Sequence, residues 1–264
     1  DGPVVEWDLE RETMDAAGLQ GVDAVVHLAG EPFGARRLTS ERKRKIRESR
    51  EVSTRLLAKT LAEVDDGPRV LISQSGTNYY GDRGDERLTE ASARGPGSFF
   101  TDVCLAWEAA TRPAVEAGIR TVNTRTAFVL DADGGSLPKL VLNTKLGAGG
   151  RIGDGQQWMA WVTRDDAVRA IRFLLAHDSV SGPVNVTAPE PVRNRDFSHI
   201  LGQVLHRPTF IPIPKFGPAL VLGRELAEDL LFSSFRVEPA VLLAAGFEFR
   251  HPTLRGALED VLGR

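Results

Sequence analysis

The residues whose types and spacing could do chemistry gather between Arg69 and Glu108. An apolar run, Val70-Leu71-Ile72, leads into Ser73-Gln74-Ser75-Gly76-Thr77 and then Tyr79-Tyr80-Gly81. Hydroxyls and phenols at this density suit hydrogen bonding of a substrate oxygen and proton transfer to it. Ser75, Thr77, Tyr79 and Tyr80 are the side chains here that could do so. The bland alternative for both tyrosines is packing under the loop. Glu31 and Asp102 are further polar candidates that no spacing ties to this loop. Other chemistries are poorly served. The histidines (His27, His177, His199, His206, His251) show no short-range ligand spacing, so no metal site is expected. There is no Gly-x-Ser-x-Gly elbow. The single cysteine, Cys104, falls on an apolar helix face and suits a buried thiol better than a nucleophile.

These residues need a frame. A buried strand that delivers hydroxyls at its carboxyl end and then enters a helix is how an open α/β sheet builds a site. Asp23 to Leu28 is a second apolar run of the kind that suits a parallel strand buried on both faces. Thr39 to Val64 carries an apolar stripe (Ile46, Leu56, Leu57, Leu61, Val64) through good helix formers. Its first half is basic, which reads as a solvated face or as a contact to a phosphate or a partner. Phe99 to Glu108 is amphipathic, and Pro113 should kink or end that helix. Strands are expected over Val4–Trp7, Thr121–Leu130 and Pro183–Thr187. Helices are expected over Leu137–Leu146, Asp165–His177, a segment capped by Asn194, Ala219–Leu231, Pro239–Ala245 and Thr253–Leu262. Gly147 to Gly155 is glycine-rich but lacks the Gly-Lys-Ser/Thr of a P-loop, and should be a turn or hairpin. Strand–helix alternation to about residue 180, followed by helices and short strands, predicts a doubly wound α/β sheet with a smaller C-terminal cap.

The 264 residues allow one large or two modest domains with a sizeable core. A net charge of -3 gives no reason to expect nucleic acid or an anionic membrane as partner. No apolar run approaches the roughly 18–20 residues of a membrane span, and no signal peptide is visible. One cysteine excludes an internal disulfide framework, so a reducing, cytoplasmic setting is expected.

Several motifs together resemble the extended short-chain dehydrogenases/reductases. They are Val22 to Gly30 (VDAVVHLAG), Ser73-Gln74-Ser75 with Tyr80-Gly81, and Trp161 to Asp166 (WVTRDD). Ala29-Gly30-Glu31-Pro32, Ser49-Arg50, Tyr79-Tyr80-Gly81, Val103-Cys104 with Trp107-Glu108, and Gly246 to Phe249 are similar to the atypical epimerase-like (NAD-dependent epimerase/dehydratase, SulA-like) branch. The resemblance runs from about Val4 to Leu262. It implies a Rossmann-like domain over residues 1–150, a mixed segment over 151–185 and a smaller C-terminal domain over 186–264. It also places Val4–Asp8 on the third strand of the family, so that about 50 residues bearing the glycine-rich turn would lie upstream.

The resemblance implies NADP or NAD as cofactor. Asp8 and Leu9 would lie beside the adenine, and Leu28, Ala29 and Gly30 along the ribose and pyrophosphate. Ser73, Gln74 and Ser75 would lie near the nicotinamide ribose, with Arg125, Ala127, Phe128 and Val129 on the carboxamide side. The family's tyrosine and lysine, however, map onto Phe100 and Cys104. Two readings follow. One is an epimerase-like oxidoreductase acting on a small carbonyl or nucleotide-sugar substrate, with Ser75, Thr77 and Tyr79 as its catalytic groups. The other is a nucleotide-binding or regulatory protein that has lost catalysis. A homodimer is compatible with either.

Overall fold

The computed structural model describes residues 4–33 and 37–264. The chain enters through a small antiparallel ribbon, β1 (Trp7–Asp8) against β2 (Thr13–Met14). This corrects the strand expected over Val4–Trp7. Only Trp7 of that run joins a ladder, because Asp8 turns the chain. Its carboxylate accepts from the backbone N–H groups of Glu10 and Arg11 at 2.9 and 3.0 Å, an Asx-type turn. Next come β3 (Ala24–His27) and the long helix α1 (Ser40–Glu63). Thr39 caps α1 by accepting from the Arg42 N–H. The helix stops before Asp66, Gly67 and Pro68, with Asp66 in the left-handed region at φ 55°. Along α1, Arg44–Glu48 and Lys45–Glu41 are exposed i,i+4 pairs, as the solvated-face reading requires. Its buried stripe takes in Ile46, Arg50, Ser53, Leu57 and Leu61.

β4 (Val70–Gly76) runs into a single tight helical turn, Thr77–Tyr80. After it come α2 (Phe99–Ala109), capped by Ser98, and the short α3 (Arg112–Glu116), with Pro113 in its first turn. β5 (Arg120–Thr126) and β6 (Phe128–Leu130) divide the single strand expected over Thr121–Leu130. α4 (Leu137–Lys145), β7 (Trp158–Met159), β8 (Trp161–Thr163), α5 (Arg164–Ala176) and β9 (Gly182–Val186) complete the first two thirds. β10 (Val192–Arg193), α6 (Asn194–Val204), α7 (Phe216–Leu222), α8 (Arg224–Ala227), α9 (Ala240–Ala244) and α10 (Leu254–Val261) follow. Asn194 does not cap α6. Its side-chain oxygen instead accepts from the Ile152 N–H at 2.7 Å. The helix expected over Ala219–Leu231 breaks at Gly223, whose φ of 86° no helix tolerates.

The central sheet is parallel in the order β3-β4-β5-β9. Side chains alternate across it. Leu71 joins Leu57, Leu61 and Ala114 under α1 and α3. Val70, Ile72, Val122 and Val184 face Ala170 and Leu174 of α5 and Leu242 of α9 on the other side. Helices on both faces make this a doubly wound, Rossmann-like α/β fold. β6 leaves the sheet because β5 pairs with β9 only as far as Thr126, after which β6 pairs with β8. That small sheet, with α4, α6 and α10, encloses a second core of Leu130, Trp161, Phe197, Leu201 and Leu258. Leu242 and Phe247 belong to the core of the main sheet, so residues 186–264 contribute to both cores.

Asp166, fully buried in the first turn of α5, ties the chain's end to this frame. Its carboxylate accepts from the backbone N–H groups of Arg250 and His251, both at 2.9 Å, and pairs with Arg169 at 2.7 Å. Asp165, Asp166 and His251 lie close enough to share an ion. The oxygens of Asp166, however, already serve these donors. No helix among the described residues is long and apolar enough to cross a membrane.

Candidate functional site

The carboxyl ends of β3, β4 and β5 lie side by side, which brings Leu28–Gly30, Ser75–Thr77 and Arg125–Ala127 together. In an open parallel sheet this edge is where ligands bind. Leu28, Ala29 and Gly30 form an exposed ledge. Asp8 and Leu9 sit at the same end, since the Trp7 ring meets His27 edge-on with centroids 5.9 Å apart.

Behind the ledge lies a closed polar network. Ser75 donates its hydroxyl to Glu108 Oε1 at 2.8 Å. Arg125 binds the same carboxylate through two nitrogens, each at 2.8 Å. A third nitrogen of Arg125 donates to the Tyr80 hydroxyl at 3.0 Å, and Tyr80 donates to Asn185 Oδ1 at 2.8 Å. Asn185 is held in turn by the Glu238 carbonyl and the Glu90 carboxylate. Burial alone would lower the pKa of Arg125, but the Glu108 carboxylate and Tyr80 more than offset it and leave it raised. Burial likewise raises Tyr80, against the pull of Arg125. Two expectations change here. Tyr80 is fully buried and committed, so it is no free acid. Ser75 has spent its one hydrogen on Glu108 and can offer a ligand only its lone pairs.

Thr77 and Tyr79 differ from these. Neither side-chain oxygen makes a hydrogen bond among the described residues, and the Tyr79 ring is only half-buried. The Arg125 guanidinium stacks under that ring, 3.3 Å from its centroid. Gln74 turns its amide to the Ser75 carbonyl at 2.9 Å. Ser73 is fully buried between His27 and Asn123, so its side chain does not reach the edge. Ala127 is buried behind the edge, Phe128 packs on Phe197, and Val129 lies against the main core. Glu31 and Asp102 are exposed.

Phe100 and Cys104 are structural. Phe100 is 1% exposed and packs with Ile46, Val103 and Leu226, its ring edge-on to Phe33 at 4.6 Å. Burial, helped by the charge of Glu108, pushes the Cys104 thiol up to about 12, so it is no thiolate at neutral pH. Sequence reasoning passed over Glu108 as a functional group, because it meets its partners across 33 and 17 residues of chain. It placed Arg50 in the Ser49-Arg50 motif and among the basic residues of α1 but did not expect it to be buried, although Arg50 follows Ile46 by four on the buried stripe. That spacing was the available signal.

A parallel sheet with helices on both faces and an open ledge at its carboxyl edge defines a nucleotide-binding type of α/β protein. The NAD dependent epimerase/dehydratase family model matches residues 3–187, and a second model, Domain of unknown function (DUF1731), matches residues 213–261. The chain belongs to the NAD-dependent epimerase/dehydratase family, in its extended short-chain dehydrogenase/reductase-like, epimerase-like group. An epimerase family protein of Mycobacterium leprae is 38% identical over 96% of this chain and 81% of its own length. The human epimerase family protein SDR39U1, solved with NADPH, superposes with a TM-score of 0.88 at 32% identity, over 93% of this chain and 83% of that one. A nucleoside-diphosphate sugar epimerase of Corynebacterium glutamicum gives 0.79 at 36% identity, over 98% of this chain and 49% of that one.

Proposed function

We propose that this chain binds NADP or NAD along the ledge at the carboxyl ends of β3, β4 and β5. There it acts as an epimerase-like oxidoreductase on a small carbonyl or nucleotide-sugar substrate. The ledge suits the cofactor because Gly30 leaves its approach bare: a Cβ there would lie 3.0 Å from the Arg50 guanidinium carbon. The bound cofactor would supply or accept a hydride. The observation that carries the chemistry is the pair of uncommitted hydroxyls, Thr77 and Tyr79, beside a charged Arg125. Tyr79 would hold or release the proton at the substrate oxygen. Thr77 would donate a hydrogen bond to the same oxygen. Glu108 would keep Arg125 and Ser75 in place without touching substrate.

The second reading, a nucleotide-binding or regulatory protein without catalysis, is favoured by Phe100 and Cys104, which supply no proton donor from α2. One set of measurements separates the two. The full-length protein should show a saturable NADPH fluorescence change, and its absence would remove the cofactor. Once turnover of a carbonyl or nucleotide-sugar substrate is found, Tyr79→Phe and Thr77→Val should each slow it at least tenfold, a typical loss for a proton-transfer group. Unchanged rates in both would overturn the roles given to Tyr79 and Thr77, whereas absence of turnover with such substrates would favour the second reading.

A further inference from the structure

On the outer face of α6, an open cleft of about 590 Å³ is lined by Arg151, Arg195 and Arg207, by His199 and His206, and by no carboxylate among the described residues. The helix turns its other face, with Phe197, Leu201 and Val204, into the second core. Charges of one sign gathered this way repel, and little in the fold neutralises them. Arg151 makes no side-chain hydrogen bond or ion pair among the described residues. Arg195 has only Asp196, its exposed neighbour, at 3.5 Å. Arg207 has only the His206 carbonyl, at 3.1 Å. The Gln203 side-chain oxygen accepts from Arg255, so its amide nitrogen donates to His199 Nε2 at 2.8 Å and leaves the ring's hydrogen on Nδ1.

The backbone is shaped to bring these groups together. Gly155 is buried, and a Cβ there would lie 2.8 Å from the Arg195 Cβ and 2.9 Å from the Arg151 Cβ. Only glycine lets the two arginines leave the chain side by side. A Cβ on Gly202 would lie 2.7 Å from the Arg207 carbonyl oxygen and from Thr209 Cγ2. His206 holds φ at 53°, in the left-handed region where a helix end usually has glycine or asparagine. That turn folds Arg207 back onto α6, where its backbone N–H donates to the Gly202 carbonyl at 2.8 Å. We infer that this cleft is a second ligand site, for a small anion bearing a diphosphate. Guanidinium forks match phosphate oxygens two by two, and three of them exceed what one carboxylate or monophosphate needs. The chain as a whole carries a net charge of -3, so this concentration of positive charge is local. Inorganic diphosphate and a nucleoside diphosphate share the chemistry. The Phe210 ring in the lining, 73% exposed, would give the second a stacking face.

The test is calorimetric titration of the full-length protein with inorganic pyrophosphate, with ADP and with NADPH. Pyrophosphate should bind saturably, and Arg151→Gln and Arg195→Gln, both surface changes, should each raise its Kd at least fivefold. The Kd for NADPH should stay at its wild-type value in both, because neither arginine is on the β3–β5 edge. A parallel loss of NADPH affinity would put the anion on the ledge and overturn the inference. No saturable pyrophosphate binding by the unmodified protein, or a wild-type Kd in both variants, would also overturn it. Gly202→Ala keeps every charge and displaces the 207–209 segment, so it should cost at least fivefold as well. An unchanged Kd there would make the cleft a diffuse patch of charge and overturn the inference. Phe210→Ala separates the two sources: weakened ADP with unchanged pyrophosphate assigns a nucleoside diphosphate, and no change in either assigns the inorganic anion.

Discussion

Two buried arginines, Arg125 and Arg50, stand at the same edge of the sheet in opposite conditions. Arg125 has a carboxylate on two of its nitrogens and a phenol on the third. Arg50 has carbonyls and a hydroxyl on one nitrogen, and nothing on the other two among the described residues. A paired buried charge is part of the scaffold, and removing its partner strands it. An unpaired one costs stability that carbonyls and aromatic rings offset only in part. Burial alone does not distinguish the two, but a count of their partners does.

The sharpest way to break this contrast is Glu108→Gln. It leaves Arg125 buried against a neutral amide and should cost about 3–5 kcal/mol in denaturant unfolding. A loss under about 1 kcal/mol would show that Arg125 needs no carboxylate. His27, the buried last residue of β3, should have the next largest effect. Burial lowers its pKa to about 4, against an ordinary value of about 6.5. The folded state therefore binds fewer protons. Stability should be full above pH 6.5 and fall by up to about 3 kcal/mol as pH drops from 6.5 to 4. His27→Gln should flatten that part of the curve. The smallest loss belongs to Arg50→Met without ligand, which should be at least as stable as wild type. A loss as large as that of Glu108→Gln would make Arg50 a scaffold residue after all.

Much of the frame was legible because periodicity reports burial. The stripe through Ile46, Leu57 and Leu61 gave α1 nearly to the residue, and Val70-Leu71-Ile72 gave the central strand. The division at Ala127 was not legible. Phe128-Val129-Leu130 continues the apolar run of β5, and only the choice of partner, β8 in place of β9, separates the two strands. The site was half legible for the same reason. The hydroxyls of Ser75, Thr77 and Tyr79 announce themselves locally. Which of them is free depends on Glu108, a residue from another element that no spacing rule connects to them. Arg50 was legible in principle, four residues after Ile46 on the apolar stripe of α1, but it was masked by the charges around it.

The Asp166 carboxylate reaches from the first turn of α5 to the backbone of Arg250 and His251, 84 and 85 residues further on. α5 packs on the main sheet, and α10, just beyond His251, closes the second core. One side chain therefore joins the opening energetics of two cores. The amide protons of Arg250 and His251 are shielded from solvent exchange for as long as α5 holds its place. Opening of the segment that leads into the last helix is therefore coupled to α5.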